Sequence, residues 1–247
     1  ALHDNTVGDF NTAIGHFALH ANTTGERNTA FGFHALEDNI TGTNNTGFGS
    51  QALAANITGD FNTASGMNAM KAFISGDYNT AIGFEALTTA VSGDHNTAMG
   101  YQALKANIGG IKNTAVGYQA MLLATGHDNT AIGYLALKDL TNGSFNTAMG
   151  SGSLGSITSG SNNTGVGFMA EVIPGNLNNA TAIGARSIAE KSNSLILGSI
   201  AGKNGATETA RVGIGTSAHH SLAILELAST QKGLALPSMT NVKRNAI

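Results

Sequence analysis

The apolar and polar positions of this chain repeat with a period of 17 residues. The glycine that ends each Asn-Thr-Ala-x-Gly phrase recurs eleven times, and successive gaps are 17 residues except for one of 16. These glycines are Gly15, Gly32, Gly49, Gly66, Gly83, Gly100, Gly117, Gly133, Gly150, Gly167 and Gly184. A fixed period of this length is typical of a solenoid, in which each unit stacks on its neighbours.

The two positions directly before this glycine differ in the size of their side chains. The residue directly before it is apolar in ten of the eleven repeats, as at Ile82, whereas the residue one further back is always Ala or Gly, as at Ala81. Neighbouring residues of a strand point to opposite faces. The pattern therefore predicts a strand whose large residue fills the core and whose Ala or Gly faces a close partner, such as a second chain.

A second apolar group follows the glycine, as in Tyr101, Ala103 and Leu104. Its spacing fits one or two turns of helix or a second short strand, and periodicity does not separate the two. A turn such as Gly93-Asp94 then closes the unit. One unit buries too few large side chains to offset the entropy of ordering its backbone, so the units must stack.

Stacking in register creates parallel ladders, in which identical asparagine side chains bond to those above and below. The asparagine of each Asn-Thr pair forms such a column: Asn11, Asn28, Asn45, Asn62, Asn79, Asn96, Asn113, Asn129, Asn146 and Asn163. We therefore predict a mainly β protein, a parallel β-solenoid of about eleven 17-residue coils.

The composition of the chain narrows the range of functions that it can have. Charged residues make up 11% of the chain, the net charge is −3, and Lys and Arg form no block, which argues against nucleic-acid binding. The chain has no cysteine for a disulfide or a thiolate metal site. It also has no apolar run of the roughly 18 residues that would predict a membrane span, so we expect no membrane insertion.

An active site needs converging titratable groups, and their spacing here indicates none. Asp60, Asp77 and Asp94 follow turn glycines in neighbouring coils and would suit a calcium ion, but turn acids that accept backbone bonds are the stronger interpretation. His16 and His20 share one coil and His34 lies in the next, which is weak evidence for a metal site. We predict no catalytic residue, no cofactor and no metal.

Four aromatic residues stand directly before an Asn-Thr pair, near the turn: Phe10, Phe61, Tyr78 and Phe145. If exposed, these rings would stack on sugar rings, and if packed, they would hold adjacent coils together. Packing is the stronger interpretation, and the four residues are kept as candidates for surface recognition.

Two motifs carry a resemblance to known families. The 17-residue units, such as "GDYNTAIGFEAL", resemble repeats of bacteriophage-type tail fibres and of related bacterial fibre proteins. Residues 178–199 resemble the head repeats of trimeric autotransporter adhesins, closely from Asn179 to Gly184 and loosely from Ser194 to Gly198. The resemblance implies a left-handed, β-roll-like solenoid that assembles as a homotrimer.

The resemblance also suggests three regions. Residues 1–177 would form the shaft or head of 17-residue coils, 178–215 the shorter adhesin-head-like coils, and 216–247 a junction leading to a further tip or chaperone. Because the chain enters the repeat halfway, we expect it to be part of a longer polypeptide.

The function implied is that of a structural attachment fibre, tail fibre or adhesin, which mediates or supports host or cell-surface receptor binding. It would be extracellular, on a virion, a phage-like particle tail or a bacterial surface. Its partners would be further copies of itself, adjoining fibre or baseplate segments, and a glycan or protein receptor.

Two alternatives stay open. An ice-binding solenoid is suggested by the regular column of Thr12, Thr29, Thr46, Thr63, Thr80 and Thr97, but these threonines share a strand face with the residue assigned to the core. A glycan-cleaving fibre enzyme would need clustered carboxylates in a groove.

Overall fold

Each Thr-Ala-x triplet forms a short strand, and these strands stack in parallel. The computed structural model describes residues 1–214 and 224–227. Within these residues all regular secondary structure is β, and there is no helix. The predicted parallel β-solenoid of about eleven turns is confirmed.

The strands are very short. The repeating coils contribute β1 (Thr12–Ile14), β2 (Thr29–Phe31), β3 (Thr46–Phe48), β4 (Thr63–Ser65), β5 (Thr80–Ile82), β6 (Thr97–Met99), β7 (Thr114–Val116), β8 (Thr130–Ile132), β9 (Thr147–Met149) and β10 (Thr164–Val166). Beyond them lie β11 (Glu171–Val172), β12 (Ala180–Ile183), β13 (Ile188–Ala189), β14 (Ser194–Leu197), β15 (Val212–Ile214) and β16 (Leu225–Leu227).

One parallel sheet of twelve strands runs the length of the solenoid, in the order β1 to β10, then β12 and β14. Equivalent residues pair directly, as Thr80 with Thr97. The register survives the 16-residue coil, in which Thr114 pairs with Thr130, and the 14-residue coil, in which Ala180 pairs with Ser194. At a typical strand spacing the sheet is about 50 Å long.

Residues 178–199 therefore extend the sheet of the longer coils, because β12 pairs with β10 and with β14. Two smaller parallel pairs, β11 with β13 and β15 with β16, complete the described sheets. Of the predicted junction at 216–247, all but residues 224–227 lies outside the described residues.

The core lies on the opposite face of the strands from the one predicted. Ala81 is 0% exposed, whereas Ile82 is 39% exposed. The prediction that the large strand residue fills the core and that Ala or Gly faces another chain was wrong. The small residue instead faces a buried column of the same chain: Leu19, Leu36, Leu53, Met70, Leu87, Leu104, Met121, Leu137 and Leu154.

These core residues explain why the strand position must be small. A Cβ built on Gly165 would lie 2.6 Å from Cγ of Leu154, and one on Gly47 would lie 3.3 Å from Cγ of Leu36. The side chains of this column, called the leucine column below, thus occupy the space above the strand. Residues larger than Ala do not fit beneath it, and at Gly165 even a Cβ is too close to Leu154.

The second segment contains a short strand in the last 17-residue coil, at β11, but in the coils before it the segment is neither of the two forms left open by periodicity. It is a series of turns in which two residues adopt left-handed backbone conformations, such as Glu85 (φ 54°) and Leu87 (φ 52°). The hydrogen bonds run to the neighbouring coil, where the Leu87 amide donates to the Ala103 carbonyl at 3.1 Å. Stacking between coils, rather than local helix formation, satisfies this backbone.

Candidate functional site

The asparagine column is a hydrogen-bond ladder in the solenoid interior. Nine of its ten members, all except Asn11, are buried. The Asn28 side chain is typical: its Oδ1 accepts from the Asn45 backbone N–H at 2.9 Å, and its Nδ2 donates to the Gly42 carbonyl at 2.7 Å. Further along, Nδ2 of Asn79 also donates to Oδ1 of Asn62 at 3.0 Å. Most of the bonds therefore satisfy backbone groups of the next coil.

A second asparagine ladder, formed by Asn22, Asn39 and Asn56, was not predicted from the sequence. Nδ2 of Asn39 donates to Oδ1 of Asn22 at 2.8 Å, and Nδ2 of Asn56 donates to Oδ1 of Asn39 at 2.7 Å. The column stops at Phe73, and Oδ1 of Asn56 has no hydrogen-bond partner. The signal was present in the sequence, because these asparagines each stand seven residues after the repeat glycine.

The four predicted turn aromatics are all exposed. Phe61 stacks on Tyr78 with ring centroids 5.0 Å apart, and Tyr78 stacks on His95 at 5.2 Å. The guanidinium of Arg27 lies 5.3 Å from the centre of the Phe10 ring. Phe10, Phe61 and Tyr78 therefore contact adjacent coils, which supports the packing interpretation, and a role of the four exposed rings in recognition stays a prediction.

A longer aromatic column, not identified from the sequence, follows the repeat glycine. Phe84, Tyr101, Tyr118 and Tyr134 stack in succession with centroid distances of 5.4, 5.0 and 5.3 Å. The next position is Ser151, which carries no ring. We call this set, continued at Phe168 in the following coil, the aromatic column.

A cavity of about 330 Å³ lies where the aromatic column is interrupted. Tyr134 and Phe168 line it on two sides, and Lys138 and Glu171 contribute its charged groups. Glu171 is only 5% exposed. Its carboxylate accepts hydrogen bonds from the Gly155 N–H at 3.1 Å and the Ser156 N–H at 3.3 Å.

Burial raises the pKa of Glu171 to about 7, although the backbone N–H groups of Ser156 and Gly155 partly offset this effect by stabilising the carboxylate. Between pH 4.5 and pH 7 the unfolded chain therefore loses this proton before the folded chain does. The unfolded state binds fewer protons over this range, so the stability falls as the pH rises. We expect the fall to be about 3 kcal/mol and Glu171→Gln to abolish it, as measured by urea unfolding at several pH values.

Glu85→Gln is the matched control, because Lys105 and Gln102 bond to the Glu85 carboxylate and lower its pKa. Its contribution has the opposite sign, being present at higher pH and lost as the pH falls. Parallel curves for the wild type and Glu171→Gln from pH 4.5 to pH 7 would show that burial does not shift this carboxyl group.

The turn acids form hydrogen bonds with the backbone of adjacent coils. Oδ1 of Asp77 accepts from the Asp60 N–H at 2.8 Å, and Oδ1 of Asp94 accepts from the Asp77 N–H at 2.9 Å. These contacts give the acids a structural role that needs no ion.

His16 and His34 lie side by side in neighbouring coils, with ring centroids 6.1 Å apart, but they do not form a group of three potential ligands with His20. His16 stacks on Phe33 at 5.8 Å, and His34 bonds to Glu37. Among the residues that the structure describes, the single group of three potential ligands within 4.8 Å of one another is His3, Asp4 and His20. Both imidazoles contact the Asp4 carboxylate, through Nδ1 at 2.5 and 3.8 Å, so these groups are already partnered and we assign no metal to them.

The outer face of the twelve-stranded sheet carries a stripe of large apolar side chains. This outer stripe consists of Ile14, Phe31, Phe48, Ile82, Met99, Val116, Ile132, Met149, Val166, Ile183 and Leu197, all exposed or half-buried. At the equivalent position of β4 the stripe is interrupted by the polar residue Ser65. The threonine column lies beside it on the same face and also points outward, so the argument that core packing hides these threonines from ice was wrong.

No helix capable of crossing a bilayer is found among the residues described. Comparison of the chain with protein-family models, with curated proteins and with solved structures returned no match.

Proposed function

We propose that this chain is a segment of an extracellular attachment fibre, of the tail-fibre or adhesin type, which assembles as a homotrimer. The observation that carries the proposal is the outer stripe, an apolar band that runs the length of the twelve-stranded sheet. Soluble monomers rarely expose a continuous apolar surface of this kind, and such surfaces mark protein contacts. A second and third copy of the chain would cover it.

The contact between chains then uses the opposite strand face from the one the sequence suggested. The leucine column of the same chain covers the Ala and Gly residues of the strands. The large residues that follow them point outward, where they can pack against another chain. Because each coil places a threonine and, except at Ser65, a large apolar residue outward in register, three copies would match along the sheet.

Such a fibre would act mechanically and by multivalency. The coils set its length and stiffness, and three chains present identical surfaces at once, so weak sites combine into a strong attachment. The partners would be adjoining fibre or baseplate segments and a glycan or protein receptor on the target cell.

We expect the chain in solution to have three times its monomer mass of 25.0 kDa, as measured by light scattering after size-exclusion chromatography. The double variant Ile82→Glu/Ile132→Glu places two carboxylates in the outer stripe, where the contact would bury them unpaired. We expect this variant to be monomeric at the same concentration.

The matched control is Val91→Glu/Ile108→Glu, which changes two exposed apolar residues outside the outer stripe and should leave the trimer intact. A monomeric wild type would contradict the trimer. If that monomer also caused thermal hysteresis, the ice-binding alternative would be favoured, for which the outward threonine column is the supporting observation.

The enzyme alternative has less support. Glycoside hydrolysis usually requires two carboxylates on either side of the scissile bond. Glu171 is the one acidic side chain that lines the cavity.

A further inference from the structure

The aromatic column has one empty position, at Ser151. Tyr134 precedes it and Phe168 follows it at the equivalent positions of the adjacent coils. The exposure of Tyr134 is 54%, against 42% for Tyr118, because no ring covers its second face. The Arg186 guanidinium lies 5.3 Å from the Phe168 ring centre and comes from the coil beyond, so the other face of Phe168 is turned toward the gap.

The gap has the width of one ring-sized ligand. Each filled step of the aromatic column is 5.0 to 5.4 Å. Two steps therefore separate Tyr134 from Phe168 by about 10 Å, and a ring placed midway lies about 5 Å from both, within the range of aromatic stacking distances.

The lining of the gap is mostly apolar but includes a few polar groups, and two of its glycines stand where other coils carry side chains. Gly152 and Gly155 lack side chains, which opens the interior to the slot. Through this opening the cavity reaches the carboxylate of Glu171, and Lys138 and Ser156 also line it. Two apolar ring faces above a set of hydrogen-bonding groups match a ligand with apolar faces and a hydroxylated edge.

We propose that this slot binds one pyranose ring of a glycan, with Tyr134 and Phe168 on its two faces and Glu171 accepting hydrogen bonds from its hydroxyl groups. This proposal rests on the proposed attachment function, because it names a glycan as the class of receptor. The residues that line the slot all belong to one chain, so the slot does not require the trimer. We call it the pyranose slot.

Two other ligand classes fit less well. A flat aromatic ring is thinner than a puckered pyranose with its axial hydrogens, and it offers fewer hydroxyl groups to the Glu171 carboxylate, which keeps free lone pairs beside its bonds from the Gly155 and Ser156 N–H groups. An organic cation would suit the two rings and the carboxylate, but the Lys138 ammonium, which is paired with Asp139, lies at the same cavity and offers a cation no favourable contact.

The test is saturation-transfer difference NMR on the full chain with the methyl glycosides of glucose, galactose and N-acetylglucosamine, and with phenol and choline as competing classes. We expect ring-proton signals from at least one glycoside. Ser151→Phe supplies the absent ring, as Phe168 does in the next coil, and should lower the glycoside affinity about tenfold or more.

Ser50→Phe is the matched control, because Ser50 stands at the equivalent position of an earlier coil and does not line this cavity. It should leave binding unchanged. Ser151→Leu is a second filling variant in case Ser151→Phe does not fold. Equal binding by the wild type and either folded Ser151 variant, or equal losses in Ser50→Phe, would overturn the proposal. So would an absence of glycoside signals, or stronger signals from phenol or choline.

The light-scattering mass of the same samples separates this inference from the proposed function. A trimer without glycoside signals would overturn the pyranose slot alone. A monomer that gives glycoside signals lost in Ser151→Phe would overturn the trimer and support the pyranose slot.

Discussion

Replacing Gly83 with alanine is expected to lower the free energy of unfolding by about 3 kcal/mol or more, because it combines backbone strain with a collision between coils. Gly83 has a φ of +128°, a conformation that residues with a side chain rarely adopt. A Cβ at this position would lie 2.6 Å from the carbonyl oxygen of Gly100 and 2.8 Å from its carbonyl carbon. Both atoms belong to the backbone of the next coil, so no side chain can move aside. Urea unfolding followed by far-UV circular dichroism measures the loss.

Gly109→Ala is the matched control. No left-handed φ is found at Gly109, and the nearest atom to a built Cβ is Oγ of Ser92 at 3.9 Å. Alanine also reduces the entropy of the unfolded chain, so we expect a change within about 0.5 kcal/mol or a slight gain in stability. Similar losses in the two variants would show that contact between neighbouring coils at Gly83 is not the cause.

The same glycine explains why the architecture could be predicted from the sequence. A glycine recurring at the end of every Asn-Thr-Ala-x phrase fixes the period, and a period with one residue of variation defines a stack of coils. The register followed directly, since Thr80 pairs with Thr97 as the repeat aligns them.

The strand faces could not be assigned from residue size. Ile82 was expected inside because it is large and apolar, yet the interior already holds Leu87 from the second segment of the same coil. Ala81 was correctly expected to face a close neighbour, but that neighbour is the leucine column of its own chain. Deciding between the two faces requires knowing where the second segment runs, which the periodicity did not show.

The turns were unpredictable for a related reason. Tyr78, Glu85 and Leu87 all adopt left-handed backbone conformations, which carry no signal in residues other than glycine and asparagine. Bonds between stacked coils impose these conformations. The sequence places Ser151 in a row of aromatic residues, but only the folded chain shows that these rings stack on one another and that a cavity lies at Ser151.

Replacing Asn79 with alanine should cost about 3 kcal/mol, because it leaves the buried Asn96 N–H and the half-buried Gly93 carbonyl without this partner and removes the bonds of Asn79 to its neighbouring coils. Oδ1 of Asn79 accepts from the Asn96 N–H at 2.9 Å, and Nδ2 donates to the Gly93 carbonyl at 2.8 Å and to the Asp77 carbonyl at 3.0 Å. Thermal and urea unfolding measure the loss. A loss below about 1 kcal/mol would contradict the assignment, since it is no larger than that of one ordinary hydrogen bond.

Asn44→Lys is the control for this substitution, because Asn44 stands directly before an Asn-Thr pair, a position at which Lys112 has the same left-handed conformation. It should change the stability little. The double variant Asn62→Ala/Asn79→Ala then tests whether the column acts as a ladder. Asn79 donates to Oδ1 of Asn62 through both its backbone N–H and its Nδ2, each at 3.0 Å, so the two single losses share these bonds. The double variant should therefore lose less than the sum of the single variants, whereas independent asparagines would give additive losses.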